Sequence, residues 1–213
     1  GGCLTADKLD TPITYETMRD LGSIMGSGGL IVMDESTCIV DMARFFVQFA
    51  CDESCGNCTP CRNGTRILRD TLDQIIHGEG SAEDVSILRR VSDTMTKTAL
   101  CGLGQAASNP VLSSLEYFAD EYEEHINGSY CRSAVCTDLF EYTVLPELCT
   151  GCDLCQQACG SGAILGERKQ KHEIEVDRCI KCKACVQVCA AHAIVGVPVG
   201  THNQSKRVLE VVA

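Results

Sequence analysis

The sequence predicts an α + (α+β) chain, in which a four-helix bundle is followed by a small domain of short strands and helices. Three observations predict it: apolar residues at helical spacing across residues 37–127, a cysteine run that occurs twice, and the alternating segment Glu173-Ile174-Glu175-Val176 between its copies. The 213 residues allow one or two domains, and 45% hydrophobic residues suffice for buried cores.

Residues 1–36 open at Gly1-Gly2-Cys3 without Met and read as the end of a preceding, missing domain, closing on a short strand over 30–33. The glycine-rich stretch 22–29 ahead of it reads as a structural turn, because no Lys-Ser/Thr pair follows to hold a phosphate. From Thr37 a first helix carries Ile39, Met42, Ala43, Phe46, Val47 and Ala50 on one face. Cys38 and Cys51 belong to this stretch and read as small buried hydrophobes rather than ligands. A second helix starts with Thr59 as N-cap and Pro60 at the first helical position, buries Ile67, Leu68, Leu72, Ile75 and Ile76, and ends near His77-Gly78. The third opens on a capping box, Ser81-Ala82-Glu83-Asp84, before Val85, Leu88, Val91 and Met95. A fourth runs from Asn109-Pro110 to Asn127-Gly128 with Val111, Leu115, Phe118, Tyr122 and Ile126 on its apolar side. Residues 37–127 thus read as the bundle, residues 128–148 as a connector, residues 140–200 as the small domain, and residues 201–213 as an apolar-ended tail.

Cysteine is the outlier, with 17 residues. Cys149, Cys152, Cys155 and Cys159 form C-x2-C-x2-C-x3-C, and Cys179, Cys182, Cys185 and Cys189 repeat it. Three thiolates this close hold three irons of one cube, and the fourth of each run ligates the other cube. Cys149, Cys152, Cys155 with Cys189, and Cys179, Cys182, Cys185 with Cys159, therefore bind two [4Fe-4S] clusters in a bacterial two-cluster ferredoxin-like domain. Structural zinc is usually closed by two pairs, or by Cys with His, and fits this third short-spaced cysteine poorly. The halves also agree at Ala163-Ile164 and Ala193-Ile194, and both lack the usual proline after the last cysteine, with Gly160 and Ala190 there instead. Lys181 and Lys183 lie inside the second run; they read first as solvated lysines, and otherwise as charges that raise the potential of the cube they flank.

Cys55, Cys58 and Cys61 add a third close set where the first helix gives way to the second. No cysteine follows at the ferredoxin spacing, so the fourth ligand comes from elsewhere, and Cys101 in Leu100-Cys101-Gly102-Leu103-Gly104 is the natural candidate. His125, Cys131 and Cys136 remain, and two readings stand beside a disulfide: unliganded thiols, or a zinc site whose fourth ligand comes from a partner subunit or another residue. His172, His192 and His202 read as isolated, and no catalytic triad or carboxylate pair can be assembled.

The formal charge of −11 is uneven: residues 1–139 hold 21 acids and 10 bases, and residues 140–213 hold 8 of each. An acidic chain disfavours nucleic acid and anionic membrane as partners, and no apolar stretch is long enough to span a bilayer. Thiolate-rich sites fit a reducing cytoplasm better than a secreted disulfide scaffold.

The segment 53–64, the Cys101-Gly-Leu-Gly turn and residues 22–35 resemble the C-terminal part of the flavoprotein subunit of NADH dehydrogenases (the 51 kDa-like subunit). The appended ferredoxin domain narrows the resemblance to NAD(P)-linked [FeFe]-hydrogenases, some of them electron-bifurcating, and some formate dehydrogenases. The resemblance implies that Cys55, Cys58, Cys61 and Cys101 ligate the cluster nearest a flavin, and that FMN and NAD(P) belong to a region N-terminal to this one. It implies as partners a hydrogenase catalytic subunit with its own clusters, a thioredoxin-like [2Fe-2S] subunit and soluble ferredoxin. The expected function is single-electron relay through three [4Fe-4S] clusters, with no hydride chemistry in this chain alone. The corresponding formate dehydrogenase module, or a non-redox docking module braced by metal, are the alternatives.

Overall fold

The computed structural model describes residues 1–201, which fall into two compact units divided between Cys136 and Thr137. The apolar segment 208–213 and His202 lie outside the described residues.

The first unit is helical. A short helix α1 (Tyr15–Asp20) precedes α2 (Ile39–Asp52), α3 (Thr59–Ile76) and α4 (Ala82–Thr98); then come α5 (Gly102–Ala106), α6 (Asn109–Tyr117) and α7 (Ala119–Asn127). Helices α2, α3 and α4 pack in sequence, and α6 closes against α2 and α4. Val40 and Val47 of α2, Leu68, Leu72 and Ile75 of α3, Leu88 of α4, and Val111 of α6 are fully buried. Met95 of α4 packs onto Gly64 of α3, where a Cβ would stand 2.5 Å from its Sδ and force the methionine to shift. Leu72→Ala, at a fully buried position, is expected to cost about 2–5 kcal/mol in chemical denaturation. Ile67→Ala, at a side chain 43% exposed, should cost less than half as much.

Four expectations change here. Residues 30–33 are not a strand: Leu30, Ile31 and Val32 are 74%, 54% and 84% exposed, and no neighbouring strand offers them a ladder among the described residues. Cys58, not Thr59, caps α3, and Pro60 still lies in the first turn, where its missing N–H leaves no bond unmade. Ile67 points outward rather than into the core. The fourth helix is two helices, because Phe118 (φ −132°, ψ 36°) leaves helical geometry between α6 and α7. The expected four-helix arrangement is therefore met only in part. The capping box does form: Asp84 Oδ2 accepts from the Ser81 N–H at 2.6 Å and from its hydroxyl at 2.9 Å.

The second unit contains β1 (Glu141–Val144), α8 (Leu154–Ala158), β2 (Ile164–Leu165), β3 (Glu173–Ile174), α9 (Ala184–Val188) and β4 (Ile194–Val197). Two antiparallel ribbons hold it, β1 with β4 and β2 with β3, with Val144 opposite Ile194 and Ile164 opposite Ile174. The alternation at 173–176 yields only the two residues of β3, after which Val176–Arg178 turns into a 3-10 helix. Each half is a short helix followed by a strand, and α8 packs on α9.

Candidate metal centres

In the second unit, one cavity is lined by Cys149, Cys152, Cys155 and Cys189, and another by Cys179, Cys182, Cys185 and Cys159. Three cysteines of each run thus face the last cysteine of the other. The exchange follows from the fold, because each run bends through a left-handed residue, Asp153 (φ 66°) or Lys183 (φ 65°), into α8 or α9, whose far end carries the fourth cysteine away. Backbone amides already point at sulfur: Ala163 N–H donates to Cys159 Sγ and Ala193 N–H to Cys189 Sγ, each at 3.3 Å. Burial pushes the Cys185 thiol up to about 11, with the nearby Cys179 sulfur adding to it, and burial raises Cys155 likewise. Such crowded thiols ionise together only around cations, which is what iron supplies. Burial also lifts Tyr142 to about 12, reinforced by Cys185, Cys179 and Cys182.

In the first unit, Cys58 caps α3 and Cys61 lies in its first turn, while Cys101 caps α5. The Leu100 N–H, then that of Cys61, hydrogen-bonds the Cys58 sulfur and holds this thiol below its usual range. Ser54 Oγ lies 3.3 Å from Cys61 Sγ, and Arg62 Nη1 donates to Gly56 O at 2.7 Å, which ties down the loop carrying Cys55. Gly104 permits the approach of the Cys101 turn, since a Cβ there would lie 3.0 Å from Cys61 Cβ and 2.8 Å from Ala99 Cβ. The end of α4 and the start of α5 are thereby set against Cys58 and Cys61. Cys55 and Cys101 are exposed.

The first unit holds a further donor set that the sequence reading completed only in part. His125, Cys131 and Cys136 meet Cys38, all four are buried, and their donor atoms lie within 4.8 Å of one another. Cys38 Sγ is 3.3 Å from His125 Nε2 and 3.7 Å from Cys136 Sγ, and His125 Nε2 is 3.4 Å from Cys136 Sγ. The edges of a tetrahedron around zinc with sulfur ligands are about 3.8 Å, so the spacing fits. Cys38 is buried, as the sequence suggested, but it also stands beside His125 and Cys136: it caps α2, 87 positions before His125, and no local spacing announces it. His125 Nδ1–H donates to Glu121 O at 2.7 Å; a carbonyl can only accept, so Nε2, which faces Cys38 and Cys136, is the nitrogen that a metal would bind in place of a proton. The loop behind it is pinned by Arg132 to Glu124 (2.6 Å) and Asp120 (2.7 Å), and by Ser133 Oγ donating to Thr37 O at 3.0 Å. Burial pulls the His125 imidazole down, but hydrogen bonds with Cys131 and Cys38 outweigh it and push it up to about 10. Cys131 is driven toward thiolate by a hydrogen bond from Cys136, whose own thiol is pushed up in turn. A cation at the centre relieves that competition. Glu121 is buried and accepts from the Ile39 N–H at 3.1 Å, and burial raises its carboxyl.

His172 is not isolated: it is buried, its Nε2–H donates to Asp153 Oδ1 at 2.9 Å, and its Nδ1 stands 4.0 Å from Cys149 Sγ. Among the described residues, no helix is long and apolar enough to cross a membrane.

Residues 41–125 match the NADH-ubiquinone oxidoreductase-F iron-sulfur binding region, and residues 142–190 match the 4Fe-4S dicluster domain. The chain is 48% identical to the NADP-reducing hydrogenase subunit HndC of Solidesulfovibrio fructosivorans over 81% of this chain and 35% of that one. It is 41% identical to an NADH-quinone oxidoreductase subunit of Mycobacterium bovis over 60% of this chain and 29% of that one. Among solved structures, an air-oxidized NAD+-reducing [NiFe]-hydrogenase matches 57% of this chain and 20% of its own at 28% identity, with a TM-score of 0.50. The chain spans about a third of the length of the curated relatives it matches.

Proposed function

Because the chain joins an NADH-ubiquinone oxidoreductase-F iron-sulfur binding region to a 4Fe-4S dicluster domain, we propose that it is the electron-transfer module of an NAD(P)-linked hydrogenase. It relays single electrons between a flavin and NAD(P)H site outside these residues and a hydrogenase or ferredoxin partner. The observation that carries this reading is the exchange of the fourth cysteine between the two cavities of the second unit, Cys189 with the first run and Cys159 with the second. Those sets hold two [4Fe-4S] clusters, and Cys55, Cys58, Cys61 and Cys101 hold a third. Bound there, the clusters supply one-electron oxidation and reduction. The chain's own residues do the rest: the Ala163, Ala193 and Leu100 amides donate to cysteine sulfur, and Cys155 and Cys185 would hold their clusters from buried positions.

Cys38, His125, Cys131 and Cys136 hold a structural zinc in this reading, since four buried N and S donors at tetrahedral spacing leave no position open for substrate. A hydrogenase is preferred to a formate dehydrogenase because the 48% identical relative is named as a hydrogenase subunit. The partners follow as a hydrogenase catalytic subunit, a thioredoxin-like [2Fe-2S] subunit and soluble ferredoxin. Coulometric reduction of the cluster-loaded chain tests the relay: about three electrons per chain are expected, one per cube. Uptake of none would contradict it.

A further inference from the structure

The two cavities of the second unit match in the burial of their cysteines and in the amide bonds to their exchanged sulfurs, and differ most in charge. In both runs the first cysteine is half-buried, the second exposed, the third buried and the fourth half-buried. The amide bonds to Cys159 and Cys189 are equal at 3.3 Å, and α8 and α9 each have five residues. Cluster potential depends on net charge, hydrogen bonds to sulfur and solvent exposure, so with exposure and amide bonds matched, the remaining differences decide it.

Three of those differences share one sign. Asp153 and Lys183 occupy the same place in the repeat with the same backbone (φ 66° and 65°), so the charge is inverted at a fixed position. Gly151 (φ 67°) corresponds to Lys181 (φ 54°), a left-handed residue where a Cβ is unfavourable and where the first run has glycine. That lysine is anchored: its Nζ donates to Thr137 O and lies 5.3 Å from the Phe140 ring centroid. Both lysines line the second cavity. The third difference is Ser161, whose hydroxyl lies 3.5 Å from Cys159 Sγ, against Ala191 beside Cys189. His172 lines the first cavity and is paired with Asp153, which stands behind it. That pair carries a charge of −1 or zero according to whether the imidazole is neutral or protonated, and in either case it is more negative than two lysines.

We infer that the two ferredoxin cubes are electrostatically inverted copies, with the one held by Cys159, Cys179, Cys182 and Cys185 at the higher potential. An electron shared between the two cubes therefore settles on the Lys181 and Lys183 side, which sets the order of the relay within this unit. The inference rests on the proposed cluster binding.

The test is potentiometric titration of the whole cluster-loaded chain, followed by visible absorbance and electron paramagnetic resonance. Two dicluster midpoints are expected, separated by at least a tenfold difference in one-electron equilibrium, about 59 mV. The double variant Lys181→Gly with Lys183→Asp should lower the upper midpoint by a similar factor and leave the lower one unmoved. Lys181→Gly also relieves the left-handed backbone, so a folding defect is not built into the test. Asp153→Lys should raise the lower midpoint instead. Coincident midpoints in the unaltered chain, or an upper midpoint indifferent to the double variant, would overturn the inference while leaving cluster binding intact. A chain without dicluster iron would overturn the reading beneath it and the inference with it.

Discussion

Cys38→Ser is expected to strip zinc from the chain and to lower the unfolding temperature of the helical unit by on the order of 10 °C. Cys38, His125, Cys131 and Cys136 are all buried, so losing one donor leaves the others without a cation and out of reach of water. Removing one partner from a buried charged set costs about 3–5 kcal/mol. One kcal/mol moves the midpoint of a domain this size by roughly 2–8 °C. The position is decisive because Cys38 does two things: it caps α2, where its sulfur accepts from the Asp41 N–H at 3.5 Å, and it faces His125. Serine can keep the cap but is a poor zinc ligand, so zinc loss separates the two roles. Cys51→Ser is the control, since Cys51 is half-buried and belongs to none of the donor sets. Equal zinc in Cys38→Ser and the unaltered chain, by elemental analysis, would refute the assignment.

The second large effect is expected from Cys101→Ala. The other three cysteines of that set lie within seven residues of one another, while Cys101 arrives from the α4–α5 turn, 40 positions after Cys61. Without it the cube loses one iron ligand, so iron should fall from about twelve per chain toward about eight, and the reducible signal of the helical unit should vanish. The dicluster signals should persist, because Cys101 lines neither of their cavities. Full iron with all three signals would place the fourth ligand elsewhere.

What was legible in the sequence was whatever is local. Two-residue spacing of cysteines survives any tertiary arrangement, because Cys149, Cys152 and Cys155 are brought together by a single turn. Helical periodicity located α2, α3 and α4 for the same reason. The misses depend on residues far apart in the chain. Cys38 and Cys51 are chemically identical and lie at either end of one helix, and only the fold brings His125 to the first of them. His172 looked solitary until the turn before α8 placed Asp153 2.9 Å away. The apolar run 30–33 has strand-like composition, but a strand needs a partner ladder, and composition does not supply one. Phe118 sits on the apolar stripe of a continuous helix, yet packing α6 on α2 and α4 while α7 turns toward α2 and α3 requires a break there.

Iron, acid-labile sulfide and zinc determined together on the intact, anaerobically prepared chain test the central claim most directly. About twelve irons, twelve sulfides and one zinc are expected, from three cubes and one closed tetrahedral site. Zinc throughout, with no labile sulfide, would contradict the account and make the chain a metal-braced docking module.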